Sequence, residues 1–151
     1  MYKKILVPLD GSELSESVLS HVITIATSCQ VPEVVLMRVR EPLDKNVRDT
    51  LDAKIAVELD EAYRDDVVSY LEKIAAALKR KGIAINIEIL SGNPAEEIIK
   101  YSKLNGVDLI IMSTHGRSGF SRIMFGSVAD EVIRQTEVPV LLRPAGQSAT
   151  A

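Results

Sequence analysis

The chain has 151 residues, 46% of them hydrophobic and 26% charged, and its formal net charge at pH 7 is −3. This length suits one domain with a single core, and no apolar run approaches the roughly twenty residues of a membrane span. Acidic and basic side chains are interspersed, and aromatic residues make up only 4% with no Trp, which argues against a basic nucleic-acid surface and against a base-stacking platform. We therefore expect neither nucleic acid nor a membrane among the partners.

Five short runs rich in Val, Ile and Leu alternate with helical patterns, which predicts a parallel sheet built from βαβ units. The runs cover residues 4–9, 33–39, 84–90, 107–113 and 138–143. The first, fourth and fifth are almost uninterrupted apolar runs, typical of strands buried on both faces, whereas the third alternates as a strand near an edge does. We predict an α/β fold: an open five-stranded parallel sheet, order 3-2-1-4-5, with helices on both faces, a Rossmann-like arrangement.

The first two helical patterns lie on either side of the second strand. Residues 15–29 carry one apolar stripe and are predicted as a single helix. The second helix is the longest, with Ile55, Leu59 and further apolar residues at steps of three or four along one buried stripe through Leu78. Gly82 is placed to end it, because glycine readily adopts the left-handed conformation of a helix terminus.

Two further helices follow the third and fourth strands. Asn93 can cap a helix that starts with Pro94, and Glu96 falls where it can reach back to the cap. The last helix is predicted to begin near Ser127, with Ile133 on its buried stripe.

One domain is expected over residues 1–144, followed by a disordered tail at 145–151, whose residues are mostly small and polar. The N-terminal residues have too short an apolar run for an export signal, so we expect a cytoplasmic protein. Cys29 is the only cysteine, which excludes an intrachain disulfide and an all-cysteine metal site.

Ligands of such sheets bind outside the carboxyl ends of the strands, where the strand order reverses. The loops at that point are "DGSELS" after the first strand and "STHGRSGFSRIMFGS" after the fourth. In the latter, Gly116, Gly119 and Gly126 would let backbone N–H groups turn toward an anion. Ser127 then either caps the last helix or donates a hydrogen bond to a phosphate. Neither GxxxxGK[ST] nor a GxGxxG after the first strand occurs, which excludes a P-loop ATPase and does not support a dinucleotide fold.

The chain resembles the universal stress protein family, in its single-domain, ATP-binding branch. The resemblance extends from "KKILVPLDGSELS" through "GNPAEEI" to "VDLIIMSTHGRSGFSRIMFGSVADEVIRQTEVPVLLRP". The family motif Gly-x2-Gly-x9-Gly-Ser/Thr is matched by Gly116, Gly126 and Ser127, whereas Ser113 stands where the motif has its first glycine. The resemblance implies a regulatory ATP-binding module of the stress response, related in fold to adenine nucleotide alpha hydrolases, with at most slow hydrolysis.

The resemblance also implies roles for individual residues. Asp10 would contact the adenosine end of ATP, the backbone of Pro8 and Leu9 would line the site, and Val39 would give main-chain contacts to adenine. A carboxylate at residue 10 suits this end because an ionised carboxylate accepts hydrogen bonds and repels phosphate. The alternative is that Asp10 only forms the turn before Gly11.

The phosphate end would be built from the fourth strand and the loop that follows it. By the resemblance, the residues along ribose and phosphates are Met112, Ser113, Gly116, Gly126, Ser127 and Val128. Arg117 and His115 flank Gly116 and either approach a phosphate or are solvated loop residues. No spacing of His, Cys or carboxylate residues indicates a protein metal site, so Mg²⁺ or Mn²⁺ would be held by the phosphates.

Two other functional classes stay open. Ser113 leaves room for a non-nucleotide protein of the same fold that acts through protein partners. An enzyme of the alpha hydrolase type is the weakest candidate, because the loop after the first strand lacks a double glycine. The fifth strand is predicted at an exposed edge, and the resemblance implies a homodimer in which residues 138–143 of two protomers pair antiparallel about Leu141.

Overall fold

A computed structural model describes residues 1–114 and 126–144. The strands are β1 (Lys4–Pro8), β2 (Glu33–Arg40), β3 (Ile85–Ser91), β4 (Leu109–Thr114) and β5 (Val140–Pro144). The helices are α1 (Glu13–Glu16), α2 (Leu19–Ser28), α3 (Lys45–Thr50), α4 (Ala53–Lys79), α5 (Pro94–Leu104) and α6 (Ser127–Gln135). The predicted tail at 145–151 lies outside the described residues.

The five strands form one parallel sheet in the order β3-β2-β1-β4-β5, which confirms the predicted fold. β1 pairs with β2 from Lys4↔Glu33 to Pro8↔Met37. On its other side β1 pairs with β4, so the strand order reverses between these two strands. The carboxyl ends of β1, β2 and β4 therefore meet at one edge of the sheet, where the site is expected.

Each face of the sheet has its own apolar core because side chains alternate along every strand. The first core lies under α2 and α4 and includes Ile5 and Leu36 with Leu71 of α4. The second lies under α5 and α6 and includes Leu6 with Ile98 and Val132. Helices on both faces make the central strands β1 and β4 nearly inaccessible, as their apolar runs predicted. The same prediction is wrong for β5, which is only half-buried because it lies at an edge.

The predicted first helix is interrupted after Glu16. Ser17 and Val18 keep right-handed backbone angles, so the chain bends between α1 and α2 without leaving the helical region. Two serine side chains bind backbone carbonyls here: Ser15 Oγ donates to Ser12 O at 2.8 Å, and Ser17 Oγ donates to Leu14 O at 2.5 Å. Such side-chain bonds compete with the helical ladder, which accounts for the bend.

Only the second half of α4 packs on the sheet. Val67 and Leu78 are buried, whereas Ile55 and Leu59 are each 48% exposed, so their predicted burial is wrong. The helix ends at Lys79, and Gly82 follows with a φ of +81°, as predicted. Helix α3 was not predicted.

Helix α5 begins as predicted. Asn93 is its cap, the side-chain oxygen of Asn93 accepts from the Glu96 N–H at 3.2 Å, and Pro94 is the first helical residue. Helix α6 differs in two ways. Its cap is Gly126 with no side-chain hydrogen bond, so Ser127 does not cap it, and Ile133 is 37% exposed instead of buried.

Candidate functional site

The turn after β1 presents Asp10 at the carboxyl edge. The Asp10 side chain is exposed, and its Oδ1 accepts hydrogen bonds from Ser12 N at 2.9 Å and Ser12 Oγ at 2.5 Å. Ser12 in turn caps α1, since its Oγ accepts from the Ser15 N–H at 3.1 Å. Gly11 between them has a φ of +85°, a left-handed conformation that favours glycine. Asp10 therefore does form the turn, and the same bonds hold its carboxylate in a fixed orientation.

Pro8 and Leu9 lead into this turn. Pro8 is the last residue of β1, and Leu9 has a side chain that is only 3% exposed. The Leu9 backbone is already bound within the protein: its N–H donates to Met37 O at 2.8 Å, and its carbonyl accepts from Arg38 Nη1 at 3.4 Å. Leu9 can thus shape the site, while its N–H is not available to a ligand.

Two arginines lie at the carboxyl end of β2, on a strand face whose earlier residues are apolar. Val34 and Leu36 are buried in the first core, and the next residues on that face are Arg38 and Arg40. Arg38 Nη2 donates to Tyr63 Oη at 3.4 Å, and Arg40 stacks on the Tyr63 ring with its guanidinium carbon 4.6 Å from the centroid. Arg40 also forms an ion pair with Asp60. These residues link α4 to the turn after β1 and were not predicted. The sequence feature that could have revealed them is a pair of charged residues on one face at the end of an otherwise apolar strand.

Val39 lies between these arginines and faces the opposite side. It is half-buried, packs against the second core, and pairs in register with Leu90 of β3. Val39 lies at the carboxyl end of β2, and its main-chain contact to adenine stays a prediction.

The end of β4 supplies the next two predicted residues. Met112 is 5% exposed and packs in the second core, so its side chain is committed to the interior. Ser113 is half-buried and lies in register with Arg143 of β5. Arg143 Nη1 donates to Ser17 Oγ at 2.8 Å, which joins the end of β5 to the bend between α1 and α2.

Helix α6 begins at the same edge, because it connects the end of β4 to the start of β5. Gly126 precedes it, Ser127 is exposed at its first position, and Val128 is half-buried against the second core. In the part of the chain that the structure describes, no side chain caps this helix. Its first N–H groups therefore keep the partial positive charge that suits an anion.

Three predicted phosphate-binding residues, Gly116, Arg117 and Gly119, lie outside the described residues, as does His115. Within residues 1–114 and 126–144, no group of three or more His, Cys, Asp or Glu side chains could hold a metal ion. In the same ranges, no helix combines the length and the apolar character that crossing a bilayer would take.

One titratable group beneath the turn is strongly perturbed. Burial raises the pKa of Tyr70 to about 12, and the Glu16 carboxylate beside it acts in the same direction. Its hydroxyl oxygen has no hydrogen-bond partner in good geometry among the described residues. Tyr70 comes from α4, so a neutral phenol separates the second half of that helix from α1.

Comparison with known proteins gives the family. The model of the universal stress protein family matches residues 1–144. The chain belongs to this family. Among its relatives are universal stress protein MJ0577 of Methanocaldococcus jannaschii, 34% identical over 94% of both chains, and MJ0531 of the same organism, 36% identical over 94% of this chain and 82% of the relative.

Solved structures of universal stress proteins share the fold. The MJ0577 structure has a TM-score of 0.81 and covers 98% of this chain and 99% of its own. A family member from Burkholderia pseudomallei is 27% identical, with a TM-score of 0.74 over 95% of this chain and 97% of its own. The sheet order and the helices on both faces are therefore those of universal stress proteins.

Proposed function

We propose that this universal stress protein binds ATP at the carboxyl edge between β1 and β4 and acts as a regulatory module with at most slow hydrolysis. The observation that carries the proposal is that the turn after β1 and the start of α6 lie at the same edge of the sheet. An oriented carboxylate, Asp10, follows β1, and a helix N-terminus at Ser127, which no side chain of the described residues caps, follows β4. The first suits hydrogen-bond donors of a nucleoside and the second suits phosphates. The cytoplasmic location is part of this proposal.

The nucleoside end would be read by Asp10 and the backbone of Val39. Adenine offers an exocyclic amine where guanine offers a carbonyl, and ribose offers two hydroxyl donors. A carboxylate whose Oδ1 is held by Ser12 can accept from such donors without a large loss of side-chain freedom. We therefore expect ATP to bind in preference to GTP.

The phosphate end would be formed by Ser113, Gly126, Ser127 and Val128, completed by Gly116, Arg117 and Gly119. Ser127 is exposed at the first position of α6, so both its hydroxyl and the helix N–H groups can donate to phosphate oxygens. Mg²⁺ or Mn²⁺ would bind the phosphates themselves, because metals of this kind keep most of their ligands from phosphate and water.

Two structural relatives support a nucleotide. One universal stress protein was solved in complex with cAMP, at 18% identity and a TM-score of 0.70. Another, from Arabidopsis thaliana, was solved with AMP bound, at 15% identity and a TM-score of 0.70. These two structures support the binding of adenine nucleotides by proteins of this fold.

Calorimetric titration with ATP and Mg²⁺, with GTP in parallel, tests the proposal. Gly126→Val should abolish ATP binding and leave the fold intact, because φ at Gly126 is −56°, which valine adopts without strain. Ala53→Val is the matched control, since it adds similar bulk at the exposed start of α4. No heat with wild-type protein would favour the alternative, a stress protein of this fold that acts through protein partners. Equal affinity for GTP would refute the preference for ATP.

A further inference from the structure

The guanidinium of Arg38 occupies an unusual environment beneath the turn that carries Asp10. Its Nε is buried and has no hydrogen-bond partner, and no carboxylate forms an ion pair with it, among the described residues. Its two other nitrogens make only the long bonds to the Leu9 carbonyl and to the Tyr63 hydroxyl. A half-buried guanidinium with one unpaired N–H and two long bonds is poorly compensated, and local rules are most often broken at functional sites.

The contacts of Arg38 lead directly to the turn. Nη1 bonds the carbonyl of the residue before Asp10, and it lies 3.5 Å from the point where a Cβ on Gly11 would stand. The guanidinium thus bonds the residue before Asp10 and lies close to the residue after it. The Ser12 bonds hold the Asp10 carboxylate relative to the turn, and Arg38 holds the start of that turn relative to β2.

Tyr63 holds Arg38 in place from α4. Its hydroxyl accepts from Arg38 Nη2, while its ring stacks on Arg40, which is fixed by the ion pair with Asp60. The flexible side chain of Arg38 is therefore bonded at both ends of its guanidinium, at Leu9 and at Tyr63. A side chain fixed in this way can orient a neighbouring group without touching the ligand.

We propose that Arg38, held by Tyr63, is a positioning residue that sets the orientation of Asp10 toward the nucleoside end of the bound nucleotide. The proposal rests on the proposed nucleotide-binding function. According to this proposal, Arg38 affects the binding of the nucleoside part of the ligand and does not affect the binding of its phosphates. Arg38→Met should consequently weaken the binding of adenosine, AMP and ATP by the same factor, about tenfold, since the nucleoside would lose roughly the net contribution of one well-oriented hydrogen bond.

Tyr63→Phe is the conservative variant, because it removes the hydroxyl that Arg38 uses and keeps the ring beneath Arg40. We expect about a threefold loss of affinity, again equal for the three ligands. Tyr101→Phe is the matched control: it removes the hydroxyl of a half-buried tyrosine that contacts Glu88, on the other face of the sheet. It should leave all affinities unchanged.

Calorimetry with adenosine, AMP and ATP, combined with amide NMR shifts in nucleotide-free protein, decides the matter. Arg38→Met and Tyr63→Phe should shift the Asp10 and Gly11 amides, and Tyr101→Phe should not. If Arg38→Met fails to fold, Arg38→Lys replaces it, because lysine reaches Leu9 but cannot bond Tyr63 as well. A loss for ATP without one for adenosine, or unshifted amides, would overturn the inference. Wild-type protein that binds no nucleotide would refute the proposed function, while the amide shifts would still test the support of the turn.

Discussion

Arg143 on the edge strand β5 donates a hydrogen bond from Nη1 to the hydroxyl of Ser17, 2.8 Å away at the bend between α1 and α2. The Ser17 hydroxyl in turn donates a hydrogen bond to the Leu14 carbonyl at 2.5 Å. One side chain therefore ties the last strand to the first helical segment, across the ends of β4 and β1.

Removing either partner of this bond should destabilise the fold. We expect Arg143→Met and Ser17→Ala each to lower the free energy of unfolding by about 1 kcal/mol, the usual size for a part-buried hydrogen bond. The double variant should lose less than the sum, because both changes remove the same bond. Urea unfolding of the four proteins measures this. Arg134→Met, which breaks only an exposed pair with Asp130, is the control and should cost less than about 0.5 kcal/mol. Full additivity would mean that the bond contributes nothing.

Ser113 stands where the family motif has glycine, so Ser113→Gly should change affinity and stability in opposite directions. In the proposed site the Ser113 Cβ would crowd the ribose and phosphates, so we expect ATP to bind about threefold tighter once glycine removes it. The same change should cost roughly 0.5–1 kcal/mol of stability, because glycine weakens a strand. Ser113→Ala keeps the Cβ and should bind ATP like the wild type. If alanine and glycine behave alike in calorimetry, the hydroxyl and not the Cβ is responsible.

The half-buried edge strand β5 leads to a prediction about assembly. In a two-fold antiparallel pairing, Leu141 meets its counterpart near the axis, so Leu141→Glu would place two carboxylates together and convert a dimer to a monomer. Light scattering at micromolar concentration measures the mass of both proteins. Ile133→Glu, at an exposed position on α6, should leave the mass unchanged. Because Leu141 also packs against the first core, thermal unfolding must show that the variant is folded. A monomeric wild type contradicts this interface.

Asp108 gives a prediction for acidic pH. Its Oδ2 accepts from the backbone N–H groups of Lys3 at 2.5 Å and Lys4 at 2.8 Å, and these bonds lower the pKa of the Asp108 carboxyl. The stabilisation is therefore present above the ordinary pKa of aspartate and is lost as pH falls through the lowered value. Asp108→Asn should cost about 1 kcal/mol at pH 7 and nothing once the carboxyl is protonated. Urea unfolding at both ends of this range tests it, with the exposed Asp66→Asn as a control. A difference that persists at low pH would point to packing.

The sheet could be predicted because its evidence is local. Runs of Val, Ile and Leu mark each strand, and glycine, asparagine and proline mark the starts and ends of helices, as at Asn93 and Gly82. Strand order followed from the alternation of strands and helices together with the family resemblance. Periodicity also predicted that the apolar stripe of α4 would be buried along its whole length. The spacing of apolar residues does not show how far the sheet surface on which the helix packs extends. Ile55 and Leu59 therefore point past the edge of the sheet.

The candidate site was predictable only in part, for a related reason. Asp10 and Ser127 were predicted from their places at a strand end and a helix start, whereas Val39 and Ser113 came from the family resemblance. The support beneath them depends on contacts between residues distant in sequence, such as Arg38 with Tyr63 or Arg143 with Ser17. No local pattern specifies those partners. Likewise, the interruption after Glu16 is accompanied by hydrogen bonds from serine hydroxyls to backbone carbonyls, and apolar periodicity carries no information about such bonds.

The division of α4 into a protruding half and a packed half makes it one helix with two stabilities. Up to Ala62 its residues are exposed except for Ala56, which is half-buried. Apart from the ion pair of Asp60 with Arg40, these turns rely on backbone bonds that fray easily in water. From Val67 to Leu78 the same helix is held by the first core. Amide hydrogens of the outer turns should exchange with solvent long before those of the inner turns, and a protease should cut there first. Such a helix can unwind outside the domain without disturbing the sheet.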